Sequence, residues 1–385
     1  MSPFMLDDIS NSIGVIMKSN IPESILVAQE EKLAEDFLKK IWGKTPTFVC
    51  TIGTTETAKI PGLSAAGANP AATDFTPPAD VELLFYGKCK CIPGVPVTPD
   101  GIPTPGLLTM TAVNLAKMPV FAASGGVRVK PIAPFFELDG APGEDIRTGS
   151  AVKDPRKVYE SAVLAGENLA SGADYLVIGE SIPGGTTTAL AVLMAQGYDA
   201  ANKVSSTLPV NPHNQKIDVA KEGLGKTKHR PDEMKRDAMT AISAVGDPMM
   251  PAAAGMIVGA ARKVPVIAAG GTQMAAVLSI VKAMEPSALK NVALGTTKWI
   301  VNDKSSDIRG LMKQIAPVPV IAANLDFSSS RLSGLRIYET GLVKEGVGCG
   351  GATVAAVCRS EGKLDMPTFL KELEKSYDRL MTQAK

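Results

Sequence analysis

Residues 175–196 read YLVIGESIPGGTTTALAVLMAQ. The stretch opens with four apolar residues, passes through a turn holding Pro183, Gly184 and Gly185, and continues from Thr186 as an apolar run of helical length. An apolar run that does not alternate with polar residues predicts a strand covered on both faces. Strand, glycine turn and helix in succession are the repeating half of an α/β fold.

The same rhythm recurs on both sides. Apolar runs at 47–52, 81–86, 120–123, 264–268, 292–294 and 318–322 read as further strands. Helical patterns over 104–115, 272–284 and 307–314 follow several of them. The pattern predicts an α/β fold with a doubly wound, mostly parallel, Rossmann-like sheet. Two terminal segments break it. Residues 23–42 carry Ile25, Leu26, Leu33, Phe37, Leu38 and Ile41, and residues 366–381 carry Phe369, Leu370, Leu373, Tyr377 and Leu380. Both stripes fit a helix. They predict a small helical subdomain from 1–45 and 364–385, beside an α/β nucleotide-binding catalytic domain over 46–363.

Composition narrows the function. The 385 residues are 45% hydrophobic and 21% charged, with a net charge of +1, which lacks the broad basic footprint of a nucleic-acid partner. The start has no basic region followed by an apolar one, and Arg262 and Lys263 interrupt the apolar stretch 248–280. No membrane span or membrane partner is expected, and a cytoplasmic location is. Cys50, Cys89, Cys91, Cys349 and Cys358 are odd in number and irregular in spacing, which argues against a disulfide framework. With only His213 and His229 to add, they make no metal constellation, so neither metal nor cofactor is expected.

Three expected strand ends lead into small residues: Gly179 to Thr188, Gly270-Gly271-Thr272, and Ser124-Gly125-Gly126. Glycine admits close backbone approach, and the free N–H groups of a helix start attract anions. These turns predict a nucleotide or phosphate site. Neither G-x-x-x-x-G-K-[ST] nor a strand-linked G-x-G-x-x-G is present, which disfavours ordinary NTPases and nicotinamide dehydrogenases. Irregular stretches at 54–78 and 204–231 are long enough to be functional loops. Near the C-terminus, Glu345 precedes Gly346-Val347-Gly348-Cys349-Gly350-Gly351. A carboxylate there reads equally as a general base in a cleft and as a solvated helix cap.

Four ordered blocks resemble the nicotinate-nucleotide–dimethylbenzimidazole phosphoribosyltransferase family. They are Gly179-Glu180 through Gly185-Thr186-Thr187, Val245-Gly246 through Met256, Gly270-Gly271-Thr272, and Glu345-Gly346-Val347-Gly348. The resemblance runs from about residue 175 to 356. Asp247 in place of a glycine, Pro183 in the acid–glycine loop and the lack of the usual N-terminal motifs point to a divergent branch, expected to be archaeal.

The resemblance implies transfer of phosphoribose from nicotinate mononucleotide to a benzimidazole-like or purine base, giving α-ribazole phosphate and nicotinate for the lower ligand of a cobamide. It implies Glu345 as catalytic base. It implies substrate binding by Glu180, Gly184, Gly185, Thr186, Thr187, Gly246, Gly270, Gly271, Thr272, Gly346 and Gly348. A phosphate-binding lysine is implied at Lys235, with Lys226 and Lys228 as rivals. It also implies a homodimer, for which the helix from Met249 is one candidate surface unless it is a buried core helix. Three alternatives remain open. They are a non-catalytic nucleotide-binding protein of the same fold, a phosphoribosyltransferase for a different base, and a magnesium-dependent enzyme using phosphoribosyl pyrophosphate. The last usually carries an acid pair before its phosphate loop, and none precedes Gly179 or Gly270.

Overall fold

The apolar runs form strands because successive residues feed two different cores. In the computed structural model, which describes residues 21–64, 66–67, 69–94 and 102–383, eight strands make one open sheet. They are β1 (Ile25–Gln29), β2 (Pro46–Gly53), β3 (Val120–Gly126), β4 (Phe136–Glu137), β5 (Tyr175–Ser181), β6 (Val266–Ala269), β7 (Val292–Thr297) and β8 (Val320–Ala323). Their spatial order is β1-β8-β7-β6-β5-β2-β3-β4.

Along β5, Leu176 and Ile178 enter one core while Tyr175 and Val177 enter the other. Along β6, Val266 and Ala268 alternate with Ile267 and Ala269 in the same way. A period of two with both faces covered explains why these strands read as unbroken apolar runs. Helices Pro155–Ala170, Gly185–Ala195, Met249–Ala261 and Thr272–Met284 build the first core. Helices Glu31–Ile41, Pro105–Ala116, Cys349–Arg359 and Met366–Gln383 build the second. The Met249–Ala261 helix is buried along its whole length. It is therefore a core helix and offers no free face for pairing two copies.

The expected fold class needs correction. Among the described residues helix accounts for 52% and strand for 13%, and the sheet is open and mixed rather than a mostly parallel Rossmann sheet. Two misread segments explain part of the difference. Residues 23–42 are not one helix: Ile25–Gln29 is an edge strand running antiparallel to β8, with Ile25 opposite Ala323. Glu30, at φ 58, separates it from the Glu31–Ile41 helix. Ile25 and Leu26 fit a helical stripe by spacing alone, whereas pairing to β8 satisfies their backbone groups. Residues 81–86 are likewise no strand but the end of the helix Thr76–Tyr86. Pro77 and Pro78 lie in its first turn, where proline is tolerated because those N–H groups have no intrahelical partner. Its residues from Pro77 to Leu84 are all buried, which hides the helical period.

The chain leaves β2 towards β3 on one side, then returns to place β5 on the other side of β2. An open sheet holds its ligands beyond the carboxyl ends of its strands where connections diverge in this way. Here that point lies beyond Gly53 and Ser181, with Ile52 paired to Ser181 at the end of the β2–β5 ladder.

Candidate active site

A cavity of about 370 Å³ opens at that point. Its walls come from segments far apart in sequence. The irregular stretch after β2 gives Leu63, Gly67 and Phe75, the Thr76–Tyr86 helix gives Ala79 and Asp80, and the end of β5 gives Glu180 and Ser181. The turn after β5 supplies Gly184, Gly185 and Thr186, and the loop before the Cys349–Arg359 helix supplies Glu345, Gly346 and Val347.

Glu345 is held by the start of the helix that follows it. Its carboxylate accepts from the Gly350 N–H at 3.2 Å and from the Gly346 N–H at 3.3 Å. Burial nevertheless pushes its carboxyl up to about 7, with those backbone donors pulling the other way. A carboxylate there exchanges its proton near neutral pH, as a general base must. Glu180 is more deeply placed. Burial, then the charges of Glu345, Asp247 and Asp80, raise it well above the ordinary range. The same surroundings favour its neutral form over the charged one.

Two glycines permit the local geometry. Gly348 has φ +67, and a Cβ there would sit 2.9 Å from both Ala269 Cβ and Gly179 Cα. Gly184 has φ +76, and a Cβ would meet Ala58 Cα at 2.9 Å. Gly348→Ala is expected to cost about 2 kcal/mol, from left-handed strain plus overpacking. A urea midpoint within error of the unmodified protein would refute that reading.

The expected residues distribute unevenly. Glu180, Gly184, Gly185, Thr186, Glu345 and Gly346 line the cavity together. Thr187 is buried in the first turn of the Gly185–Ala195 helix, and its Oγ1 has no hydrogen-bond partner among the described residues. Gly270, Gly271 and Thr272 form the turn from β6 into the Thr272–Met284 helix, whose next residue, Gln273, reaches the cavity. Thr272 Oγ1 accepts the Ser205 N–H at 3.0 Å, tying that turn to the segment containing the cavity residue Thr207. Gly246 ends the Ala238–Val245 helix and is not among the lining residues. Lys235 is exposed on the short helix Pro231–Arg236, its stem beside Gly197, and does not reach the cavity. Lys226 is paired with Glu222 at 2.6 Å on the surface. Lys228 also lies outside the lining.

Sequence reading missed two groups. Lys216, on the helix His213–Lys226, is fully buried. Its ammonium donates to the Ser205 carbonyl at 2.7 Å and to Asn211 Oδ1 at 3.2 Å. Burial, then repulsion from Lys344, pulls it down to about 7. Lys344 in turn donates to the Ser206 carbonyl at 3.0 Å and pairs with Asp303 at 3.0 Å. Two cations thus sit against the Ser205–Ser206 backbone that leads to Thr207. The second group is Asp80, whose carboxylate accepts from Ser181 Oγ at 2.7 Å and Thr104 Oγ1 at 3.2 Å. Asp247 is also buried; it accepts from Thr188 Oγ1 at 2.5 Å and from the Met249 N–H at 3.0 Å, as a helix-start acid does. Among the described residues, no group of three or more His, Cys, Asp and Glu is arranged to hold a metal, and no helix is long and apolar enough to cross a membrane.

Known proteins share this architecture. A family described as "Phosphoribosyltransferase" matches residues 141–298, which contain β5, β6 and the turns that follow them. The solved structure of CobT from Thermus thermophilus superposes with a TM-score of 0.58, covering 85% of this chain and 88% of that one at 15% identity. Another, a nicotinate-nucleotide–dimethylbenzimidazole phosphoribosyltransferase from the same organism, gives 0.55 at 17% identity, covering 86% and 89%. At such identities the likeness is one of fold. Sequence relatives are closer. A UPF0284 protein of Sulfolobus acidocaldarius is 44% identical over 352 residues, 90% of this chain and 100% of that protein. One from Methanothermobacter thermautotrophicus is 42% identical, over 84% of this chain and 90% of its own length. With full-length relatives at that level, the chain belongs to the UPF0284 protein family.

Proposed function

We propose that this protein transfers phosphoribose from nicotinate mononucleotide to a fused aromatic base, releasing nicotinate and forming an α-ribazole-type phosphate. The observation that carries the reading is Glu345: a carboxyl poised at about 7, facing a cavity that glycine turns and helix starts also line. The kinship of fold to phosphoribosyltransferases supports it.

The 5′-phosphate sits by the starts of the Gly185–Ala195 and Thr272–Met284 helices, whose positive dipole ends suit a dianion. Lys216, buried behind the Ser205–Thr207 segment and outside the lining, adds positive charge to the field there. The base lies against Phe75, Leu63 and Val347 with its ring N–H towards Glu345. Glu345 takes that proton while the other ring nitrogen attacks C1′. The C1′–N bond to nicotinate breaks on the opposite face, and its electron pair stays with the nicotinate ring. The configuration inverts. Holding both partners in line supplies much of the acceleration. Glu180, whose neutral form burial favours, lines the cavity as a hydrogen-bonding partner for the ribose or the base. The pyridinium is already an activated leaving group, so the scheme needs no metal.

The test is a nicotinate-release assay with the mononucleotide and a panel of bases, with the nucleotide product identified by mass. Stoichiometric nicotinate and ribosylated base are expected. Tight mononucleotide binding without release, across every base tried, would turn the reading to a binding protein.

A further inference from the structure

We infer that Asp80 selects acceptor bases carrying a hydrogen-bond donor, a ring hydroxyl or an exocyclic amine, over bases carrying only methyl groups. The inference rests on the transfer reaction proposed above.

Asp80 projects into the same cavity as Glu345 from a different element, the Thr76–Tyr86 helix. The residue is buried, with 3% exposure. Its carboxylate receives two hydroxyl hydrogen bonds, Ser181 on one oxygen and Thr104 on the other. An ionised carboxylate accepts about four hydrogen bonds, so about half of this capacity is open where the cavity wall runs past it. Burial lifts its carboxyl to about 6, which leaves it mostly charged at neutral pH. A buried charge satisfied by two neutral hydroxyls is costly until a further donor arrives.

The lining also offers apolar Ala79, Phe75, Ile92 and Pro105, beside polar Thr76 and Glu180. A flat heterocycle fits such a wall, and a donor on its rim would complete Asp80. A methylated rim would strip water from the charge and return nothing. Sites built to bond a hydroxyl or amine reject analogues that lack it, because their own polar group is left unpaired. Glu345 already serves the reacting ring nitrogen, so a second acceptor at the wall reads the substituent.

A rival account makes Asp80 purely structural, tying the Thr76–Tyr86 helix to Thr104 and β5. The experiment separates the two. Measure kcat/KM for nicotinate release with 5-hydroxybenzimidazole, adenine, benzimidazole and 5,6-dimethylbenzimidazole, for the unmodified protein, Asp80→Ala and Asp80→Asn. The unmodified protein is expected to favour the two donor-bearing bases by about 10- to 50-fold. Asp80→Ala should collapse that ratio towards one, and Asp80→Asn, which keeps an acceptor oxygen and the shape, should retain part of it. An equal loss on all four bases, or no preference in the unmodified protein, overturns the inference and leaves the transfer reaction standing. No release with any base overturns the transfer reaction. Calorimetric binding of the same bases then decides the inference: it falls if the donor-bearing ones bind no tighter than 5,6-dimethylbenzimidazole.

Discussion

Glu345→Gln is expected to fold and to lose nicotinate release by roughly 10³-fold in kcat, within the range that a positioned base contributes. Glutamine keeps an oxygen to accept from the Gly350 and Gly346 N–H groups, so the loop before the Cys349–Arg359 helix stays in place. What it cannot do is take a proton from the incoming base. The pH profile gives a second readout. In the unmodified protein kcat/KM should rise with unit slope as the pH approaches about 7 and level off above it, because only the ionised carboxylate is a base. In the variant that limb should vanish. Stability moves the other way. The carboxyl of Glu345 binds its proton more tightly folded, at about 7, than unfolded, near the ordinary 4.5. Its contribution to stability is therefore present below 4.5 and is lost as the pH rises through 7. Glutamine does not titrate, so at pH 8 the variant should be the more stable, by on the order of 2 kcal/mol. Full turnover in Glu345→Gln would remove Glu345 from the base role. Lost turnover with a lowered melting temperature would point to a structural role instead.

Glu180, Gly184 and Thr186 stand in a glycine turn before a helix, which has a local physical meaning, whereas the residues around Glu345 fitted a base and a helix cap equally and the family resemblance singled it out; all four line one cavity. Asp80 was not legible. It precedes a run, Val81 to Tyr86, whose residues up to Leu84 are buried all round, so period could not separate helix from strand. Lys216 was hidden for a different reason. Its helix, His213–Lys226, buries only four residues, so it looked like polar loop. Nothing local marks one lysine of that helix as buried and its neighbours as solvated. That distinction comes from Ser205 and Asn211, which fold back over it. The antiparallel β1 shows the same limit at sheet level, since the direction of an edge strand is set by its partner and not by its own residues.

Lys216→Met should raise the KM for nicotinate mononucleotide by about 10-fold with a smaller change in kcat, whereas Lys235→Ala should leave both unchanged. The first expectation follows from what the ammonium lacks. Its hydrogen bonds go to a carbonyl and an amide oxygen, both neutral, while Lys344 repels it and Asp303 attracts it only as the weakest of the three influences. Lys216 does not itself line the cavity, so a phosphate dianion beside Thr207 would act on it as a counter-charge through the Ser205–Thr207 segment rather than by contact. Lys235 is exposed to solvent with its stem beside Gly197, away from the segment that leads to Thr207, so its removal changes no buried charge near the cavity. Proton linkage supplies an independent check. Lys216 titrates at about 7 folded against an ordinary 10.5 unfolded, so the unfolded chain binds the extra proton between those values. The stability of the unmodified protein should therefore rise with pH from 7 towards 10.5 through this group, a slope that methionine abolishes. The melting-temperature difference in favour of Lys216→Met should thus be larger at pH 7 than at pH 10. Saturating inorganic phosphate should narrow it at pH 7 by stabilising the protein that keeps the lysine more than the variant. A phosphate-induced shift of equal size in both proteins would place the anion elsewhere, and an unchanged KM would remove Lys216 from the binding of the mononucleotide.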